Sequence, residues 1–329
     1  MKLLVATVLG AASLYGQQAQ VENAKVETKA VSGSLQAELG QHGSGPFWAA
    51  WAEPEIPGRH GDMCWSSVNN GIYEDGHVAG APVRLEGQTT LLILVRIENS
   101  QVDQIRLASP DCRFDGGGLP FYWLTGVSPD QSVTWLKSQI NEKNPDRAIS
   151  AIALEAGAAA DRALDELTAA TQPARVRERT AFWLGNSRGA HGIEILKRMI
   201  ANDPDIRVRE QVVFAISQSK DPQALPLLIE EARGDKTPQI RGKALFWLAQ
   251  KAQKQAVDMI ASAVVNDPDR EVKKQAVQAL KQLPESEGVP LLIQVAKTNA
   301  DPEVRKRAMQ LLGQSKDPRA IDYFAQVLK

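Results

Sequence analysis

The chain of 329 residues is long enough for two domains, and its 43% hydrophobic and 23% charged content is ordinary for a soluble globular protein. A formal net charge of −1 excludes the strong positive field that draws nucleic acid. Beyond the N-terminal residues, no segment is apolar over the roughly 20 residues that a membrane-spanning helix needs.

Lys2 followed by the apolar and small-residue run from Leu3 to Tyr15 predicts a secretory signal over residues 1–19, ending near Gly16 or Ala19. A buried first helix is the alternative. No cysteine follows the run, so a lipid anchor on cysteine is not expected. The expected location is periplasmic or secreted. In that oxidising compartment Cys64 and Cys112, the only two cysteines, are expected to form a disulfide, against the alternative of two free thiols.

Residues 20–126 hold most of the glycines and show no helical period. Thr90 to Ile97 is a strongly β-forming apolar run, Glu98-Asn99-Ser100-Gln101 a turn, and Val102 to Leu107 an alternating strand, which together predict a hairpin. Further strands are expected at Lys25–Val31, Leu35–Leu39, Phe47–Trp51 and Val83–Leu85. Asp115-Gly116-Gly117-Gly118 is a tight turn leading into Leu119–Leu124. The expectation is a small antiparallel β domain.

Residues 127–144 read as a connecting helix over about 129–140. Ser128 is its N-cap, Pro129 its first-turn proline and Gln131 its capping-box partner. From residue 145 to 329 the texture is helical. Val176, Val208, Ile240, Val272 and Val304 recur every 32 residues without insertion or deletion. Small or aliphatic residues follow at four and five positions on, and Leu184, Ile216, Leu248, Leu280 and Leu312 at eight, the rhythm of a half-buried helix. A second apolar set follows at 17 and 20 positions on, beginning with Ile193 and Leu196. Turn signals such as Ser219-Lys220-Asp221-Pro222 separate the two sets, and Asp203-Pro204, Thr237-Pro238, Asp267-Pro268 and Asp301-Pro302 separate the copies. Each copy is thus two short antiparallel helices that bury their apolar faces only by stacking on neighbours. Asp146-Arg147 keeps the basic residue but loses the aliphatic anchor, and begins an atypical first hairpin that caps the stack. The fold class is α+β in two domains, a β domain followed by an all-α solenoid.

The pairs Val176-Arg177, Val208-Arg209, Ile240-Arg241, Val272-Lys273 and Val304-Arg305, with a small residue four on and leucine eight on, resemble HEAT repeats, most nearly the phycobilisome-lyase-like subclass. The resemblance covers residues 145–329 and implies a solenoid. Its functional content is broad, since the family includes scaffolds, lyases, a DNA glycosylase and an iron hydroxylase. The hydroxylase branch binds iron through repeated His-Glu dipeptides, whereas the repeats here hold only His191, followed by Gly192. Phe47-Trp48, Pro57-Gly58-Arg59-His60, Cys64-Trp65 and the run from Gly117 to Leu124 are similar to the leader domain of uncharacterised exported bacterial HEAT-repeat proteins. That likeness implies no activity.

Candidate chemistry is sparse. His60, Asp62, Cys64 and His77 lack recurring metal-ligand pairs, and loop residues with a disulfide account for them better. Asp111 and Asp115 beside Cys112 lack the alternating oxygen ligands of a calcium loop, so turn chemistry is preferred. No phosphate loop, nucleophile elbow or Cys-His-Asn arrangement is present. No metal, cofactor or catalytic residue is therefore expected. The basic column Arg177, Arg209, Arg241, Lys273 and Arg305 is expected to form an inter-repeat ion-pair ladder with acids of the preceding turns, at Asp203, Asp205, Asp267 and Asp301. Exposed pairs of that kind contribute about 0–1 kcal/mol each.

Subtracting the period isolates a second signal. At about 100° per residue, the position six after the anchor points away from the packed arc. It holds Phe182, Phe214 and Phe246, then Gln278 and Gln310. Beside it, ten after the anchor, run Asn186, Gln218, Gln250, Gln282 and Gln314, and seven after it stand Trp183 and Trp247 in the first and third copies. By resemblance to HEAT repeats this helix lines a concave surface. Either these aromatics form a protein or peptide groove, or they pack under the β domain or between helices. The leading expectation is an exported, non-enzymatic scaffold with an unknown periplasmic protein or peptide partner. A ligand- or glycan-binding β domain, with Trp48, Trp51, Trp65 and Trp123 around one cleft, is the second, and an enzyme of unknown reaction the third.

Overall fold

The computed structural model describes residues 20–57, 65–68, 72–75, 90–110, 112–141, 145–251 and 254–327, with 65–68 and 72–75 as backbone alone. The expected signal segment, the strand expected at Val83–Leu85, and His60, Asp62, Cys64, His77, Asp111 and the side chain of Trp65 lie outside the described residues. The chain divides into two compact units between Trp135 and Leu136.

In the first unit the elements run β1 (Gln20–Glu22), β2 (Lys25–Ala30), α1 (Leu35–Leu39), β3 (Phe47–Pro54), β4 (Trp65–Val68), β5 (Ile72–Asp75), β6 (Thr90–Glu98), β7 (Gln101–Ala108), β8 (Arg113–Asp115) and β9 (Pro120–Thr125). Five of them make a sheet in the order β2-β9-β3-β6-β7. The interior strand β6, between β3 and β7, is buried on both faces from Leu91 to Val95, which explains its unbroken apolar run. Its turn into β7 places Asn99 and Ser100 at φ +53° and +60°, the left-handed pair of a primed two-residue hairpin. The sheet is antiparallel through β3, β6 and β7, as expected. It then adds parallel pairings, because β9 enters between β2 and β3 and runs parallel to both. The glycine turn ahead of β9 holds Gly117 and Gly118 at φ +65° and +77°, where a Cβ would be strained. Short pairings of β1 with β8 and β4 with β5 were not anticipated from sequence.

The segment Leu35–Leu39 corrects the sequence reading: it is a helical turn rather than a strand. Ser34 caps it by accepting the Ala37 N–H at 3.1 Å, and Leu35 and Leu39, one turn apart, both point into the core. Two leucines four apart fit alternation and helix equally, and the cap decides.

Helix α2 (Pro129–Ser138) carries the expected capping box, with the Ser128 N–H bonded to Gln131 Oε1 at 2.9 Å and the Gln131 N–H to Ser128 Oγ at 3.3 Å. Among its described residues the second unit then stacks six hairpins. They are α3 (Asp146–Leu154) with α4 (Ala158–Leu167), α5 (Ala174–Ser187) with α6 (Gly189–Asn202), α7 (Ile206–Gln218) with α8 (Ala224–Gly234), α9 (Pro238–Ala249) with α10 (Lys254–Asn266), α11 (Arg270–Gln282) with α12 (Glu285–Thr298), and α13 (Pro302–Leu312) with α14 (Pro318–Val327). All five periodic anchors are at most 2% exposed. Gly192 and Gly288 lie against their first helices, where a Cβ would come within 2.2 Å and 2.4 Å of the Leu184 and Leu280 carbonyl oxygens, and the same position in the other periodic hairpins is the small, buried Ala224, Ala256 or Ala320. First helices pack directly on first helices from α3 to α13, while neighbouring second helices touch more sparsely. The first helices therefore form the tighter, inner layer of the stack.

Candidate functional site

The basic column is structural in its first three copies, and more deeply so than exposed pairing implies. Arg177 and Arg241 each hold an aspartate with two bonds: Nε to Asp203 Oδ2 at 2.8 Å and Nη2 to Oδ1 at 3.1 Å, then Nε to Asp267 Oδ2 at 2.8 Å and Nη2 to Oδ1 at 2.9 Å. Arg209 pairs with Asp235 in the same way of reaching 26 residues forward. The partner acids thus sit in the link after each repeat rather than before it, and Asp205 and Asp301 pair with Arg207 and Arg270 instead. Side-chain exposure within the three pairs is 8% or less, so these are buried ion pairs. Each carboxylate also accepts the backbone N–H two residues on, from Asp205, Thr237 and Asp269. The guanidinium meanwhile donates to a carbonyl near the start of its own repeat, Gln172 for Arg177 and Asp235 for Arg241. One arginine therefore ties the link before its repeat to the link after it. At Asp235 burial acts to raise the carboxyl, but the Thr237 N–H and the Arg209 guanidinium outweigh it and hold the group below its ordinary range. The neighbouring Glu231 is pushed up to about 7 by burial and by the Asp235 charge.

The non-packing columns lie together on the inner layer. Phe182 stacks on Phe214 of the next repeat with centroids 6.1 Å apart, and Phe214 meets Trp247 of the third at 4.9 Å. Trp183 lies edge-on to Phe182 at 5.4 Å and Phe246 to Trp247 at 5.0 Å. The five rings form one ridge across three repeats. Phe182 and Phe214 are half-buried because they cover each other, and Phe246 stands 40% exposed at the end. In the amide column, Asn186, Gln218 and Gln250 of the ridge repeats and Gln282 and Gln314 of the two repeats beyond it are all exposed. A groove of about 380 Å³ opens between the second and third repeats, lined by Arg207, Glu210, Gln211, Phe214, Lys243 and Trp247. The Trp247 indole N–H beside it is covered and has no acceptor among the described residues.

Sequence reasoning missed Asp146, which organises the N-terminal end of the ridge. Its Oδ1 accepts Trp183 Nε1 at 3.0 Å and Arg179 Nε at 2.8 Å, and Arg179 in turn lies 5.0 Å over the Phe182 ring. The signal was present, since Asp146 stands where the repeat loses its aliphatic anchor.

Among the described residues, Trp48, Trp51 and Trp123 do not line an exposed cleft. Trp51 is fully buried, donating Nε1 to Ser132 Oγ at 2.9 Å and lying edge-on to Trp135, and Trp123 is 7% exposed in the sheet core. Trp48 is half-buried under Arg106. These rings serve packing, as large aromatics with a polar handle do when a partner is within reach. Asp115 does turn chemistry, accepting from the Gly117 N–H at 2.8 Å and Asn23 Nδ2 at 2.9 Å. Those bonds hold its carboxyl below the ordinary range. His191 faces Asp161 at 3.6 Å. Glu53 on β3 is buried, its carboxyl pushed up to about 8 by loss of solvent, and its Oε1 has no hydrogen-bond partner among the described residues. Among the described residues no three His, Cys, Asp or Glu side chains converge in a metal-binding group, and no helix is long and apolar enough to cross a membrane. Cys112 is buried in the sheet core cluster.

Stacked antiparallel hairpins with clamped links define an α-solenoid. The chain belongs to the HEAT-repeat family: the family's profile matches residues 160–245, 225–298 and 261–329, together just over half of the chain. Among solved structures, it is similar to the CpcE–CpcF complex of phycocyanin lyase from a Nostoc species (21% identity, 48% of this chain and 99% of that one, TM-score 0.36). It is also similar to human deoxyhypusine hydroxylase (17% identity, 60% and 90%, TM-score 0.26) and to yeast importin-β (14% identity, 59% and 28%, TM-score 0.30). Such distant likenesses concern the fold alone. A search of curated proteins gave no match.

Proposed function

We propose that this protein is an exported, non-enzymatic interaction module that captures a protein or peptide on the inner layer of its solenoid. The observation that carries the reading is the five-ring ridge from Trp183 to Phe246 flanked by the continuous amide column. Rigid, partly exposed aromatics supply contact area at low entropic cost, and amides can pair with an extended backbone. The ridge is not required by the period, since the last two copies manage with Gln278 and Gln310. In this reading residues 1–19 are the export signal, 20–126 the β domain, 127–144 the connector and 145–329 the binding solenoid. Cys64 and Cys112 form the disulfide of an oxidising compartment, a pairing supported by the fact that no described cysteine is a free thiol. Thiol titration under denaturing, non-reducing conditions checks it, and two reactive thiols would remove it. The function is tested by crosslinking capture with wild type against Phe182/Phe214/Phe246→Ser, with cell fractionation alongside. Loss of one or more partners is expected in the variant, and identical partner sets would count against the ridge.

A further inference from the structure

The fourth repeat breaks the clamp that the first three share. The forward step that leads from Arg177, Arg209 and Arg241 to a buried aspartate leads from Lys273 to Asn299. Asn299 keeps the turn, because its Oδ1 accepts the Asp301 N–H at 3.0 Å, and its Nδ2 donates to the Val264 carbonyl at 3.2 Å. It brings no negative charge. Among the described residues Lys273 has no ion-pair partner.

At this place the structure opens a cavity of about 620 Å³ that Lys273 lines. Its other charged groups are Arg270 and Asp301, which neutralise each other through a 2.7 Å bond from Arg270 Nε. Among the described residues Lys273 is thus the one uncompensated charge in the lining. Leu291, Val295 and Val265, the last 61% exposed, give the lining an apolar part beside the neutral polar Gln294 and Thr298. The volume lies within the range of small-molecule sites, about 300–1,000 Å³.

We propose that this cavity binds a small aliphatic carboxylate. Its carboxylate supplies beside the Lys273 ammonium the negative charge that an aspartate supplies in the three sister repeats and Asn299 does not, and its chain lies on Leu291, Val295 and Val265. A carboxylate matches the single free charge. A phosphate would bring a second negative charge towards Asp301 and has no use for the apolar part of the lining. The site is distinct from the aromatic ridge, so it stands or falls independently of the proposed partner capture.

The test is calorimetric titration of the full chain with hexanoate, with hexylammonium and inorganic phosphate as comparisons. Two variants accompany wild type: Lys273→Met, which keeps the stem and removes the charge, and Asn299→Asp, which restores the internal carboxylate. Saturable hexanoate binding is expected in wild type, weakened about tenfold or more in both variants, as befits loss of a charge-assisted contact. Asn299→Asp is expected to melt no lower than wild type, so that its lost binding reports an occupied clamp. Absence of hexanoate binding to wild type, undiminished binding in Asn299→Asp, or phosphate or hexylammonium binding as tightly as hexanoate would each overturn the proposal.

Discussion

In the first three full repeats the residue six positions after the anchor is phenylalanine, and the basic residue beside the anchor holds a buried aspartate in the next link. In the last two the same positions carry Gln278 and Gln310, while among the described residues Lys273 has no ion-pair partner and Arg305 bonds to the carbonyls of Asn299 and Ala300. Both regions share the same backbone period and the same buried anchors, so fold alone accounts for neither difference. Packing positions are fixed by the need of each hairpin to bury its face on a neighbour. Positions the stack leaves free, or can afford to leave unpaired, are where the two halves diverge and where recognition has room to act.

The largest expected contrast lies in the clamps. Arg241→Ala leaves Asp267 buried and uncompensated, and should cost about 3–5 kcal/mol in denaturant unfolding. Lys273→Ala, at the same repeat position, should stay within about 0.5 kcal/mol. Equal losses would erase the distinction between the halves. A second matched pair sits nine positions after the anchor. A Cβ on Gly185 would lie 2.2 Å from the Ala215 carbonyl oxygen on the next first helix, so Gly185→Ala should cost about 1–3 kcal/mol. At Gly313 the nearest atom is 3.5 Å away, and Gly313→Ala should be close to neutral in the same assay. Phe246→Ser, at an exposed ring, should lower stability by no more than about 1 kcal/mol while weakening partner capture.

The smallest effect is pH-dependent and confined to the second repeat. Glu231 has a folded pKa of about 7, above its ordinary value of 4.5, so the folded chain binds its proton more tightly than the unfolded chain. Its contribution is fully present below about 4.5 and is lost as pH rises through about 7. Glu231→Gln should therefore raise the melting temperature at pH 8 and leave it nearly unchanged at pH 4, measured by thermal unfolding at both.

Much of the solenoid was legible because a strict 32-residue period forces every copy to agree on its buried face, which fixes hairpins and anchors without tertiary knowledge. The clamps were legible only as charges. That Arg177 reaches forward to Asp203 rather than back to a preceding turn depends on how a second helix returns the chain, and composition does not encode it. The ridge was visible as a column, but not the mutual stacking that half-buries Phe182 and Phe214, nor the role of Asp146, which belongs to a hairpin outside the period. In the first unit, local rules gave the β6–β7 hairpin and the α2 cap. The parallel placement of β9 is a long-range pairing with no local signature, and Trp51 looked available for binding until Ser132, far along the chain, supplied its partner.

The central claim is that recognition occurs on the inner layer beside the aromatic ridge. Site-specific photocrosslinking tests it most directly, with a photoreactive residue at Gln250, exposed beside Phe246, and another at Lys197, exposed on second helix α6. Partner adducts are expected from Gln250, disappearing in the Phe182/Phe214/Phe246→Ser background, and none from Lys197. Adducts from Lys197 with none from Gln250, or Gln250 adducts that survive loss of the three phenylalanines, would contradict it.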